Sequence, residues 1–139
     1  MAVTDRFRQQ HAEILEVVGS LESCLDRVGK AERATVARMA LNTLSGKLSI
    51  HLAMEDSSLY PRLGSHELSE LSDLAQSFCG EMAGIKEVFA AYNRKWVERA
   101  IHDDFKAFTT QTRPIIEMLK TRIARENDQL YALYDRAGG

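Results

Sequence analysis

A chain of 139 residues fits one domain, and we expect a single domain over residues 1–139. Hydrophobic residues make up 45% of the chain and charged residues 27%, a composition that excludes an intrinsically disordered protein. Eighteen basic and twenty acidic residues give a formal net charge of −2, which does not favour nucleic-acid binding. No apolar run is long enough to span a membrane.

The two cysteines, Cys24 and Cys79, are isolated in the sequence and lack CxxC spacing, so they do not suggest a disulfide scaffold. The chain opens without a charged segment followed by an apolar one, which is the pattern of a secretory leader. We therefore expect a cytoplasmic protein in which both thiols are reduced.

Apolar residues recur at intervals of three and four in the first half of the chain, which predicts two long helices. The first is expected over residues 4–28 and the second over residues 31–60, where Pro61 and Gly64 should end it. The line of the first helix contains Phe7, His11, Ile14, Val18, Leu21, Leu25 and Val28. The line of the second contains Val36, Leu41, Leu44, Leu48, His51, Leu52, Glu55 and Leu59.

The same spacing predicts a third helix over residues 67–95 and a fourth over residues 103–135. Gly80 and Gly84 lie inside the third helix, where they either permit a close approach of another helix or mark a local distortion. Pro114 lies inside the fourth and should kink that helix or split it.

The connections between the four predicted helices are only a few residues long, so consecutive helices should run antiparallel. Each helix has about 28 residues, or roughly 40 Å at 1.5 Å per residue. Four helices of similar length with sustained apolar repeats predict an all-α fold, an antiparallel up-and-down four-helix bundle.

Polar residues occupy places in these apolar lines that should face the core. His11 lies on the first line, and His51 and Glu55, four residues apart, share one face of the second helix. Glu126 lies on the fourth, with Arg122 one turn earlier. A carboxylate inside a bundle is costly unless a proton, an ion pair or a metal neutralises it. Because imidazole and carboxylate together suit iron, manganese or zinc, the pattern indicates a cation pocket.

Three strings in the sequence carry a family resemblance: QHAEI at residues 10–14, HLAME at residues 51–55 followed by LYP at 59–61, and RENDQLY at 125–131. With them the chain resembles the hemerythrin-like (HHE cation-binding) family over nearly its whole length. The resemblance implies a four-helix bundle with a non-heme di-iron centre. It also implies a role in oxygen binding, in iron or oxygen sensing, or in the repair of iron centres.

Two positions depart from the pattern of that family. Met82 follows Glu81 on the third helix, where the family has a histidine, and Arg122 stands in place of a histidine four residues before Glu126. By the resemblance, both missing ligands would belong to the same one of the two irons. The residues that would serve the other iron and the bridging positions are His11, His51, Glu55 and Glu126.

The four retained residues leave two interpretations open, and a mixture of both. In the first, they bind one metal ion, with iron as the family's metal and zinc or manganese as alternatives. In the second, no metal binds, and the Arg122 guanidinium pairs with Glu55 and Glu126 instead. In the mixture, Arg122 neutralises one carboxylate beside a single metal ion.

A single metal ion predicts a role in oxygen or redox sensing or in iron handling. Two imidazoles and one carboxylate leave coordination positions for O2 or another diatomic ligand. Sensing would also need a protein partner, which the sequence does not identify. Without metal, the bundle would act as a regulatory or protein-interaction module. No nucleophile with an adjacent base is visible in the sequence. A small metalloenzyme acting on peroxide or nitric oxide is a further, less favoured alternative.

Overall fold

The computed structural model describes residue 2, residues 4–26 and residues 32–138, and all regular structure in these residues is helical. The helices, in chain order, are α1 (Asp5–Leu25), α2 (Arg33–Met54, continued by a π-helical turn Glu55–Leu59 and by Tyr60–Gly64), α3 (Ser69–Lys95), α4 (Glu98–Asp103) and α5 (Phe105–Arg125, continued by a π-helical turn Glu126–Tyr131 and by Ala132–Arg136). The predicted end of the first helix at Val28 and the link around Gly29 and Lys30 lie outside the described residues. Within the described part of the chain, no helix is long and apolar enough to cross a membrane.

The four long helices run antiparallel. Contacts between neighbouring helices show this, since residues near the start of one helix contact residues near the end of the next. For α1 and α2 these contacts are Phe7 with His51 and Cys24 with Arg33. For α2 and α3 they are Asp56 with Lys86 and Arg38 with Asn93. For α3 and α5 they are Tyr92 with Thr112 and Glu81 with Arg125, and for α1 and α5 they are Arg8 with Asn127 and Glu22 with Lys120. This order is up, down, up, down. The predicted all-α four-helix bundle is therefore confirmed.

The interior of the bundle consists of two apolar clusters with a polar layer between them. On α1, the clusters are represented by Phe7 and Ile14, and His11 lies between these two residues. The same alternation of cluster, polar residue and cluster holds along α2 and α5. The buried members of this polar layer are His11, His51, Glu55, Arg122 and Glu126.

Neither proline ends or splits a helix where the sequence predicted it. α2 continues through Pro61 to Gly64, because a π-helical turn precedes the proline and Pro61 then lies at the start of a new α-helical turn. At that position the missing amide proton costs no helical hydrogen bond. Pro114 lies inside an uninterrupted α-helix, Phe105–Arg125, so of the two predicted alternatives the split is excluded and the kink stays a prediction.

α4 occupies most of the link that was predicted between the third and fourth helices. Ile101 of α4 is buried in the same apolar cluster as Trp96. The Asp104 side chain then accepts a hydrogen bond from the amide of Ala107 at 3.0 Å, which caps the start of α5. The chain therefore turns through a short helix rather than through an irregular loop.

Gly80 and Gly84 are exposed on a continuous α-helix, and a β-carbon added at either position would meet no atom within 4 Å. The described residues show neither of the predicted alternatives, a close helix approach or a distortion. We expect Gly80→Ala and Gly84→Ala each to raise the free energy of unfolding by roughly 0.5–1 kcal/mol, because alanine loses less backbone entropy in a helix. Urea denaturation measures this effect, and a loss of stability in both variants would contradict it.

Candidate metal centre

The polar layer brings the four predicted metal ligands into one buried cluster. His11, His51, Glu55 and Glu126 are each at most 2% exposed, and the two imidazole rings lie 4.5 Å apart. His11, His51 and Glu126 each offer one ligand atom, and these three atoms lie within 4.8 Å of one another. Glu55 is not one of these three, but its Oε1 lies 3.2 Å from His51 Nε2. The ligation of a metal by these residues stays a prediction.

A run of side-chain contacts fixes the orientation of the His51 ring. The Gln10 amide nitrogen donates to Met54 Sδ at 2.9 Å, so that the Gln10 oxygen faces His51 Nδ1 at 2.7 Å and accepts from it. A neutral ring that is protonated at Nδ1 carries its lone pair at Nε2. This lone pair faces Glu55 Oε1, and neither atom has a hydrogen-bond partner among the described residues. Two buried acceptors facing each other need a proton or a metal ion between them.

His11 has the same arrangement as His51. Its Nδ1 lies 2.8 Å from the side-chain oxygen of Asn127, and its Nε2 lies 3.0 Å from Glu126 Oε1. The ring of Tyr131 stacks against it at 5.3 Å with an interplanar angle of 13°. Each imidazole therefore presents Nδ1 to an amide oxygen and Nε2 to a carboxylate, which is the orientation that metal-binding histidines commonly have.

Two buried tyrosines fix the carboxylates crosswise between α2 and α5. The Tyr131 hydroxyl on α5 donates to Glu55 Oε2 at 2.6 Å, and the Tyr60 hydroxyl on α2 donates to Glu126 Oε2 at 3.0 Å. Each hydrogen bond uses one carboxylate oxygen and leaves the other, Oε1, facing a histidine. Burial, followed by the charges of the two carboxylates, raises the pKa of both phenols, so they remain hydrogen-bond donors.

The crosswise arrangement depends on a spacing that occurs twice in the sequence. A histidine or an arginine is followed four residues later by a glutamate, and the glutamate is followed five residues later by a tyrosine. The members are His51, Glu55 and Tyr60 on α2, and Arg122, Glu126 and Tyr131 on α5. In both helices the π-helical turn begins at the carboxylate, and the following leucine and tyrosine are both buried. Such turns are frequent at functional sites, because one extra residue changes which side chains face the interior.

Arg122 places a fixed positive charge beside Glu126. Its guanidinium is 4% exposed, lies 3.5 Å from Glu126 Oε2 and donates to the Tyr60 hydroxyl at 3.1 Å. The guanidinium also lies 4.4 Å from the ring centre of Phe78, a cation–π contact. Arg122 therefore supplies a buried positive charge next to one of the two carboxylates of the layer.

The two carboxylates of the layer differ in their tendency to ionise. Burial raises the pKa of Glu55, and this effect outweighs the opposing influence of the neighbouring His51. Burial also acts to raise the pKa of Glu126, but the His11 hydrogen bond and the charge of Arg122 lower it overall. The negative charge of Glu126 is thus stabilised by His11 and Arg122, whereas Glu55 has no arginine beside it.

α3 contributes no imidazole to the layer. Met82, which was predicted near the site, is buried and lines a groove of about 480 Å³ between α2 and α3. The preceding Glu81 faces outward and accepts hydrogen bonds from Arg125 at 2.6 Å and from Arg122 at 3.4 Å. α3 is thereby tied to α5 beside the site by an ion-pair network.

Sequence reasoning did not predict the residues that orient the ligands. These residues are Gln10, Tyr60, Asn127 and Tyr131. Two of them adjoin a predicted ligand in the sequence, and the other two are tyrosines that follow a predicted carboxylate by five residues. The repeated spacing was therefore a usable signal, although it does not say which carboxylate each tyrosine contacts.

Imidazoles and carboxylates that converge from separate helices inside a four-helix bundle define a cation-binding helical protein. The model of the hemerythrin HHE cation binding domain matches residues 2–134, and the chain belongs to that family. The resemblance seen in the sequence is thereby confirmed. No curated protein and no solved structure matches the chain significantly.

Proposed function

We propose that this chain holds one metal ion in its polar layer, with iron as the metal and His11, His51, Glu55 and Glu126 as the ligands. The observation that carries the proposal is the pair of His51 Nε2 and Glu55 Oε1, two buried atoms 3.2 Å apart that lack hydrogen-bond partners among the described residues. Unpaired buried polar atoms are rare because they are costly. A cation bound to both would remove that cost.

We propose one metal ion rather than two because Arg122, and not a histidine, lies next to Glu126 Oε2. α3 and α5 contain no histidine. A second metal ion bound to Glu126 Oε2 would stand beside the Arg122 guanidinium, 3.5 Å from that oxygen, and like charges at short range repel. Arg122 and a single metal ion together supply the positive charge that the two carboxylates need.

A metal ion with these ligands supplies open coordination positions where O2 or another diatomic molecule can bind. The residues of this chain do the positioning. Gln10 and Asn127 orient the imidazoles, Tyr60 and Tyr131 orient the carboxylates, and the apolar clusters on either side exclude water. We therefore propose oxygen or redox sensing, or iron handling, with a separate protein receiving the signal. The free thiols of the described residues suit a reducing compartment such as the cytoplasm.

Metal analysis of the purified protein tests the proposal. We expect iron, zinc and manganese together to amount to about one ion per chain, the stoichiometry of a single site with these ligands. His51→Ala should lose the ion, whereas His102→Ala should keep it, because the His102 side chain is 73% exposed at the surface. Two ions per chain, or equal metal content in His51→Ala and His102→Ala, would contradict the assignment.

The second candidate is a metal-free bundle that acts as a regulatory or interaction module. It is favoured by the neutralisation of Glu126, which His11 and Arg122 accomplish without a metal. It leaves the pair of Glu55 and His51 unexplained unless a proton lies between them. Background metal in the wild type as well as in His51→Ala would favour this candidate.

A further inference from the structure

The outward face of α2 is unlike an ordinary solvated helix surface. Nine residues between positions 35 and 53 are exposed, and all nine are uncharged. The arginine and the lysine of this stretch are held by partners within the chain: Arg38 donates to the carbonyl oxygen of Trp96 at 2.7 Å, and Lys47 lies 3.4 Å from Glu13. No acidic residue occurs between Glu32 and Glu55. None of the exposed residues on this face therefore carries a charge.

Six residues of this face form a line with the spacing of a two-helix contact. They are Val36, Met39, Thr43, Gly46, Ile50 and Ala53, at successive intervals of three and four. The side chains of Met39 and Ile50 stand largely in water, with 63% and 62% exposure. We call these six residues the outer seam. A repeat of this kind normally faces a second helix, and the described residues of the bundle cover the opposite side of α2.

The two residues at the centre of the outer seam, Thr43 and Gly46, have small side chains. A β-carbon added at Gly46 would meet no atom within 4 Å, although glycine weakens the interior of an exposed helix. With Thr43 beside it, Gly46 makes the middle of the seam the place where a second backbone can come close. The large side chains Met39 and Ile50 stand on either side of this point.

We propose that the outer seam packs against the same seam of a second copy of this chain, in an antiparallel pair with its two-fold axis between Thr43 and Gly46. In this pairing Met39 lies opposite Ile50 of the partner subunit, and Val36 lies opposite Ala53 of the partner subunit. The seam is self-complementary, as a two-fold interface requires. The lack of charge on the seam suits contact with a second copy. A charged residue near the two-fold axis would lie close to the same charge on the partner copy, and the two would repel each other.

The seam runs over 18 residues, from position 36 to position 53, or about 26 Å at 1.5 Å per residue. A single helix pair of this length lies at the small end of specific interfaces, so we expect dissociation in the micromolar range. The prediction does not depend on the metal, because the ligands of α2 lie on the buried side of the helix. The proposal of a metal ion and the proposal of a dimer can therefore be refuted independently of each other.

Sedimentation velocity of the full chain over a range of concentrations tests the proposal. The wild type should pass from monomer to dimer, and Met39→Glu and Ile50→Glu should each weaken the dimer by roughly tenfold or more. Val88→Glu is the control, since Val88 is 51% exposed on α3 and outside the seam. A wild type that stays monomeric would assign the seam to a different protein and overturn the proposal. Equal weakening by Val88→Glu would overturn it as well.

Two further variants separate a lost contact from a damaged fold. Gly46→Leu should raise the thermal midpoint of the monomer and still disrupt the dimer, because the helix gains stability while the close approach is blocked. In a Cys79→Ser background, the double variant Met39→Cys with Ile50→Cys should form a disulfide-linked dimer on mild oxidation. Met39→Cys alone should not, since its two copies would lie about 16 Å apart along an antiparallel pair. An efficient cross-link in the single variant would rule out the proposed orientation.

Discussion

Replacement of Arg122 by alanine should lower the free energy of unfolding of the metal-free protein by about 3–5 kcal/mol. The guanidinium is 4% exposed, lies 3.5 Å from Glu126 Oε2, bonds to the Tyr60 hydroxyl and covers the ring of Phe78. Its removal leaves Glu126 in the interior without its neighbouring cation, and an unpaired buried charge is costly. Urea denaturation in the presence of a chelator measures the loss.

Arg125→Ala is the matched control for this experiment. Arg125 shares Glu81 with Arg122 and also lies over the ring of Phe78, at 4.8 Å, but its side chain is 37% exposed. An ion pair at such a position contributes up to about 1 kcal/mol. A cost for Arg122→Ala no greater than that for Arg125→Ala would mean that Arg122 does not neutralise Glu126. Bound metal should reduce the loss in Arg122→Ala, because the metal ion neutralises the same carboxylate.

The spacing of apolar residues was sufficient to predict the bundle and the height of its polar layer. His11, His51 and Glu126 each take the place of an apolar residue in a line that repeats with the period of a helix. Such a line faces the core whatever the chemistry of one member, so these side chains had to lie inside. Their convergence then follows from antiparallel helices of similar length.

The orientation of the ligands was not predictable in the same way. Gln10 and Asn127 each adjoin a ligand in the sequence and therefore project about 100° away from it around the helix, where a polar residue usually meets solvent. They face inward because a neighbouring helix lies on that side. The π-helical turns at Glu55 and Glu126 were equally hidden, since one extra residue in a turn leaves no trace in composition.

Replacement of Glu55 by glutamine should move stability and metal affinity in opposite directions. The new amide nitrogen, in the place of Oε1, can donate to His51 Nε2 across 3.2 Å, and the amide oxygen can still accept from Tyr131. Two unsatisfied buried atoms thus become a hydrogen-bonded pair, which should raise the free energy of unfolding of the metal-free protein by about 1–3 kcal/mol. The same change removes an anionic ligand, so metal affinity should fall by roughly tenfold or more. Chemical denaturation and metal titration measure the two effects.

Glu22→Gln is the control for this substitution, because Glu22 pairs with Lys120 at the surface with 35% of its side chain exposed. It should leave metal affinity unchanged and alter stability by less than about 1 kcal/mol. If Glu55→Gln instead destabilised the metal-free protein, the carboxylate would already be satisfied within the fold, and the case for a cation between Glu55 and His51 would be lost. A gain in stability together with a loss of metal has one physical reading. The carboxylate is then kept at a cost to the empty bundle, because its place is beside a bound cation.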